Sequence, residues 1–141
     1  MYLLFAVVYG FVFVNYIDNI SGGFSGYHLW LILMYFFPFA ALSFSFPKNW
    51  SLSIGLGLVA SLMNDLFYGV VRSLMGFPVD LRGYFTLWLV PGNTTLFSLN
   101  LGFTVVAVVS WMMAFSIYAR IAAAFVLLKI WKGQAKLRHS T

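Results

Sequence analysis

The stretch Ser61-Leu62-Met63-Asn64-Asp65-Leu66-Phe67-Tyr68-Gly69-Val70-Val71-Arg72 places a carboxylate inside a long apolar segment. The chain has three acidic residues in 141, so the position of this one is informative. At helical spacing Ser61, Asp65, Tyr68 and Arg72 fall at i, i+4, i+7 and i+11, which is one helix face. The segment that carries them, Ser51–Arg72, is long enough to cross a bilayer. Its first half supplies Ser53, Gly55, Gly57, Ala60 and Ser61, small residues of the kind that let helix backbones approach closely in lipid.

Composition agrees with that reading. The chain is 62% hydrophobic, 21% aromatic and 8% charged. Soluble domains carry about 25% charged and about 45–50% apolar residues. This chain cannot cover itself with a polar surface, so its solvent is the lipid bilayer. The net charge of +5 is concentrated toward one end, which fits membrane topology and anionic headgroups better than nucleic acid, and no nucleic-acid partner is expected. The absence of cysteine excludes disulfides, thiolate metal sites and cysteine nucleophiles.

Working outward, Met1–Ile17 is apolar, lacks a basic leader and lacks a small-residue cleavage site, so an uncleaved first span is expected. Residues 18–26, rich in Gly and Ser, read as a loop. Tyr27–Phe46 is a second span with Pro38 inside it, and Pro47–Trp50 a tight connection. Between the third span and Asn100 lies a stretch too broken to cross: a polar turn at 76–83, the short apolar Tyr84–Val90, and a turn at Pro91-Gly92-Asn93. Residues 73–98 are therefore expected to form an exoplasmic interfacial or re-entrant segment, covered by protein where the backbone enters the membrane. Asn100–Trp131 is one long apolar run, read as a fourth span over 100–128, followed by a basic tail at 129–141. The expected architecture is a single all-α membrane domain of four transmembrane helices. Lys48, Arg120, Lys129, Lys132, Lys136 and Arg138 then share one side, against Arg72 and Arg82 on the other. By the positive-inside rule both termini are cytoplasmic, in a plasma or inner membrane.

The polar residues suggest where chemistry sits. Asp65 lies about 10 Å below Arg72 on this reading. An ionised carboxylate there costs a few kcal/mol unless paired, hydrated or protonated. Asn64, Tyr68 and Arg72 are its nearest polar neighbours in sequence. Asn15, Asp18, His28 and Asn100 come from other helix ends, and all eight are candidates for a binding, proton or ion site at the outer end. The plainer alternative is that they bridge helices or are polar because helix ends are wet. A metal on His28, Asp18 and Asp65 is the weaker option, since no His-x-x-x-His spacing supports it. Asp80 and Arg82 read as an interfacial ion pair or a headgroup contact. Arg120 reads as a rim anchor. If the fourth span were shifted toward its basic tail, Arg120 would instead lie deep and need a partner such as Asp65.

No phosphate loop, His-Glu-x-x-His or Gly-x-Ser-x-Gly motif occurs, and no cofactor is expected beyond bound lipid. Three functions remain open. The leading expectation is a non-catalytic subunit packing with protein partners in a larger membrane complex. The others are a small homo-oligomeric channel or transporter with Asp65 in its pathway, and an intramembrane enzyme acting on a lipid or isoprenoid from the outer leaflet.

Overall fold

The computed structural model describes residues 1–21, 26–45 and 47–138. Four helices in it are long and apolar enough to cross a membrane, and together they form the expected all-α bundle. They are α1 (Tyr2–Ser21), α2 (Tyr27–Ser45), α3 (Trp50–Leu74) and α5 (Ser110–Arg138). A short helix, α4 (Leu81–Leu89), and a hairpin of β1 (Thr95–Asn100) with β2 (Val105–Val109) lie between α3 and α5. At about 1.5 Å per residue α4 is only about 14 Å long, so it cannot span.

The middle of the bundle is α3. Of its spanning window 44% is buried, against 11–22% for the other three, so the other helices are arranged around it. Its small residues explain how. A Cβ on Gly57 would clash with the Phe36 ring of α2, and one on Gly55 would lie 3.2 Å from Leu128 of α5. A Cβ on Gly10 of α1 would clash with the Ala60 backbone carbonyl. At 100° per residue, positions 55, 57 and 60 point in different directions, so each small residue admits a different partner. Side chains there would push the helices apart and forfeit dispersion contacts, the main attraction between helices in lipid.

The π-turn Tyr9–Val14 sits beside this Gly10–Ala60 contact. The Asn15 backbone N–H donates to Gly10 O, the wider i→i−5 spacing, and the Asn15 amide Nδ2 donates to the same carbonyl (3.2 Å) and to Met63 O (3.2 Å). Asn15 is fully buried, and its bond to Met63 O ties α1 to α3.

Contacts fix the directions of the helices. Asn15 meets Met63 and Asp18 meets Asn64, so α1 and α3 run parallel. Tyr35 meets Asn64 and Ser43 meets Ser53, so α2 runs against α3. Arg120 meets Ser61 and Leu128 faces Gly55, so α5 also runs against it. The order is up, down, up, down. At the end holding the termini, Ala6, Phe39, Leu52, Leu56 and Ala60 form a packed core with Leu128 and Trp131 against it.

Two span limits differ from expectation. The first helix runs through Asp18 and Asn19 to Ser21 instead of stopping at Ile17, because Asn19 Nδ2 donates to Asn15 O (3.0 Å) and Asp18 finds a partner on α3. The fourth span begins at Ser110, not Asn100, and the helix continues through Arg138. Hydropathy alone cannot separate the two halves of Asn100–Trp131. The local signal was Val105, Val106, Val108 and Val109, β-branched residues that favour strands, after a turn with Gly102 at φ 85°. A two-stranded hairpin leaves backbone groups unpaired on both outer edges, which hydrocarbon cannot satisfy. The hairpin therefore belongs at the membrane surface, where Phe103 and Val105 are exposed.

Gly10→Ala is expected to lower the free energy of unfolding by about 1–3 kcal/mol, read from the midpoint of unfolding in mixed SDS micelles. Gly133→Ala, whose Cβ would meet nothing within 4 Å, should stay within about 0.5 kcal/mol of the parent or gain stability. Equal losses at both positions would refute the close-approach account of Gly10.

Candidate functional site

Both α2 and α5 pack on α3, but they pack little on each other. The gap between them is a cavity of about 690 Å³ in the half of the bundle away from the termini. From α3 it is lined by Leu58, Ser61, Asp65 and Tyr68, spaced i, i+3, i+7 and i+10 and so on one face. The first half of α2 and the first third of α5 form its flanks. Asp18 reaches it from α1, and α4 with the hairpin closes it above.

The main electrostatic feature is an ion pair in the cavity wall. Arg120 Nη2 lies 2.5 Å from Asp65 Oδ2. Both side chains are partly enclosed, at 18% and 17% exposure. Arg120 also donates through Nη1 to Ser61 Oγ (3.1 Å) and through Nε to Ser116 O (3.2 Å). Asp65 is nine residues from the end of α3 and Arg120 ten residues from the start of α5. Both sit about 14–15 Å into antiparallel helices, hence at one level. Arg120 is therefore not a rim anchor. The later start of α5 draws it into the bundle, where a lone guanidinium is unfavourable and the α3 carboxylate meets it.

A second polar group lies beside the first. Asn64 Nδ2 donates to Asp18 Oδ2 (2.9 Å) and to the Tyr35 hydroxyl (3.0 Å), joining α1, α3 and α2. Asn64 is 1% exposed and its Oδ1 has no partner among the described residues.

The roof is aromatic. Tyr27 and His28 have ring centroids 3.8 Å apart, His28 stacks on Phe97 at 5.7 Å with planes 8° apart, and Phe97 stacks on Trp88 at 6.0 Å. Trp88 meets Tyr84 at 4.8 Å. This ladder of five rings, all lining the cavity, runs from the start of α2 across the hairpin to α4. It ends on α3, where the Tyr84 hydroxyl donates to the Asp65 backbone carbonyl and the Tyr84 ring covers Gly69. Burial first, and the Asp65 carboxylate second, push the Tyr84 phenol far above its ordinary range, so it remains a donor.

Of the residues singled out from sequence, Asp18, His28, Asp65 and Tyr68 line this cavity. Asn64 stands behind its wall. Asn15 serves the α1–α3 contact instead. Tyr68 accepts a long hydrogen bond from Arg72 (3.5 Å), and the Arg72 guanidinium lies 4.5 Å from the Phe77 ring. Asn100 belongs to β1 and does not open the fourth span; its side chain lies outside the described residues. Asp80 and Arg82 form no ion pair. They are two apart at the start of α4, where such positions do not face each other, and the Asp80 carboxylate lies over Gly83. Among the described residues no three His, Asp or Glu side chains gather to hold a metal. His28 is taken up by ring stacking and Asp65 by Arg120.

Sequence reasoning missed Tyr35, Tyr84, Trp88 and Phe97. Nothing distinguishes these rings from the other aromatic residues of the chain. Arg120 did carry a signal: it is the one charge between Asn100 and Leu128, and only Asp18 and Asp65 sit in or beside other spans to match it. Searched against protein families, curated proteins and solved structures, the chain has no match.

Arg120→Met should cost about 3–5 kcal/mol of stability by leaving the Asp65 carboxylate enclosed without a partner. Asp65→Leu combined with Arg120→Met should recover most of that loss. The check is a double-mutant cycle on unfolding midpoints, and additive losses would show that the two groups are not coupled.

Proposed function

We propose that this is a membrane-embedded binding protein for an amphiphilic, lipid-class molecule held in the cavity between α2 and α5. The observation that carries the reading is the cavity itself. It has the size of a small-molecule site, apolar walls from Leu31, Ile32, Leu96, Val108 and Met112, and polar groups that include Asp18, Asp65 and Arg120. Sequence alone favoured an accessory subunit; the cavity between α2 and α5 is what moves the balance. A conducting path through one copy has less support, because the half of the bundle nearest the termini is filled by packed Phe39, Leu52 and Leu56. The intramembrane-enzyme reading shares the same pocket and would add chemistry at Asp65 or Asp18.

Native mass spectrometry of the protein released from lipid nanodiscs tests the binding. An adduct of lipid mass is expected on the parent chain. It should be lost in Met112→Trp, which fills the cavity, while the unfolding midpoint is retained. An adduct at parental level in a folded Met112→Trp protein would place the molecule elsewhere and overturn the reading.

We further infer a plasma or inner membrane with both termini cytoplasmic. With Arg120 inside the bundle, Lys48, Lys129, Lys132, Lys136 and Arg138 lie toward one end, against Arg72 and Arg82 toward the other. A fluorescent-protein fusion at the C-terminus should be bright and an alkaline phosphatase fusion inactive. The opposite pair of results would invert the orientation.

A further inference from the structure

Three charged side chains line the cavity: Asp18, Asp65 and Arg120. Asp65 and Arg120 are opposite in sign and in contact, so as a pair they present no net charge. Asp18 is different. Among the described residues its carboxylate accepts only the Asn64 amide and has no cation within 4 Å. The cavity thus carries one uncompensated acid. A carboxylate away from bulk water is costly unless something offsets it.

The groups around that acid are aromatic. Tyr27 and Tyr68 line the same cavity as Asp18, and Tyr35 reaches the same Asn64 amide that Asp18 accepts. All three tyrosines line the cavity. Tyrosine faces are electron-rich and attract ammonium groups, more strongly where water is excluded. A carboxylate that shares a cavity with three tyrosines suits a positive headgroup and repels an anionic one. Among the described residues Arg120 is the one guanidinium lining the cavity, and Asp65 and Ser61 already hold it, so an anionic headgroup would have to break that pair to find a counter-charge.

Resting on the reading of this cavity as an amphiphile site, we propose that its ligand carries an alkylammonium group, seated at Asp18 among Tyr27, Tyr35 and Tyr68, with its apolar chain along Leu31 and Met112. Asp18 supplies the counter-charge and the rings supply the faces. The Asp65–Arg120 pair is spectator to the headgroup and holds the wall.

The probes are hexyltrimethylammonium, tetramethylammonium, hexanoate and hexanol, titrated calorimetrically into the protein in nanodiscs of neutral lipid. Hexyltrimethylammonium should bind at least roughly tenfold more tightly than hexanol or hexanoate, about the worth of one desolvated cation–π or ion contact. Asp18→Asn keeps an acceptor for the Asn64 amide, so the fold should hold. It should erase the preference for the ammonium probe while hexanol binding stays unchanged. Tyr68→Leu should weaken the ammonium probe and spare hexanol. If tetramethylammonium binds as tightly as the hexyl compound, the site takes a free organic cation and the chain contact is wrong. If hexanol or hexanoate binds as well as the ammonium, and Met112→Trp blocks it, the cavity binds amphiphiles but the cationic assignment falls. If no probe binds, both readings fall.

Discussion

The contact between Arg120 and Asp65 is the constraint from which much of this fold follows. A guanidinium and a carboxylate placed in the apolar spans of one chain are each unfavourable alone and tolerable together. Bringing them to one level requires α3 and α5 to be antiparallel and aligned to within about one turn. That alignment in turn requires α5 to begin at Ser110, which leaves residues 95–109 outside the bundle as a hairpin. Ser61, one turn before Asp65 on the same face, takes another guanidinium N–H and narrows the geometry further.

The rest of the bundle is built on α3, and its two ends behave differently. Toward the termini, Gly55, Gly57 and the Gly10–Ala60 contact bring neighbouring helices close, and the core there is filled. Beyond Leu58 on its open face, α3 presents polar side chains instead of small ones. These need partners at longer reach, and the helices stand apart far enough to leave a cavity. A change in side-chain size and polarity along one helix thus gives a packed half and a hollow half. The aromatic ladder from Tyr27 to Tyr84 fixes the roof by ring contacts, each worth about 0.5–1.5 kcal/mol beyond area burial.

On the binding role proposed above, selectivity turns on what a cavity in a membrane helix bundle can distinguish. Apolar walls alone would not distinguish a ligand from the surrounding lipid, because both are hydrocarbon. Discrimination must come from the few polar groups, which here are an internally balanced ion pair, one further carboxylate and a set of phenols.

The sequence by itself determined the solvent, the number of spans and the approximate place of the polar cluster. These follow from composition and from runs of apolar residues, which are properties of single segments. It also marked Asp65 and Asp18, because an acid in an apolar run is visible without knowing its neighbours. Tertiary structure alone decided the depth of Arg120, the hairpin within Asn100–Val109, the unpaired state of Asp80 and Arg82, and the existence of a cavity. Helix and strand bury apolar residues equally well, so hydropathy could not divide the fourth run. A charge declares its depth only through the partner it meets, and a cavity is the space between elements, which no one segment encodes.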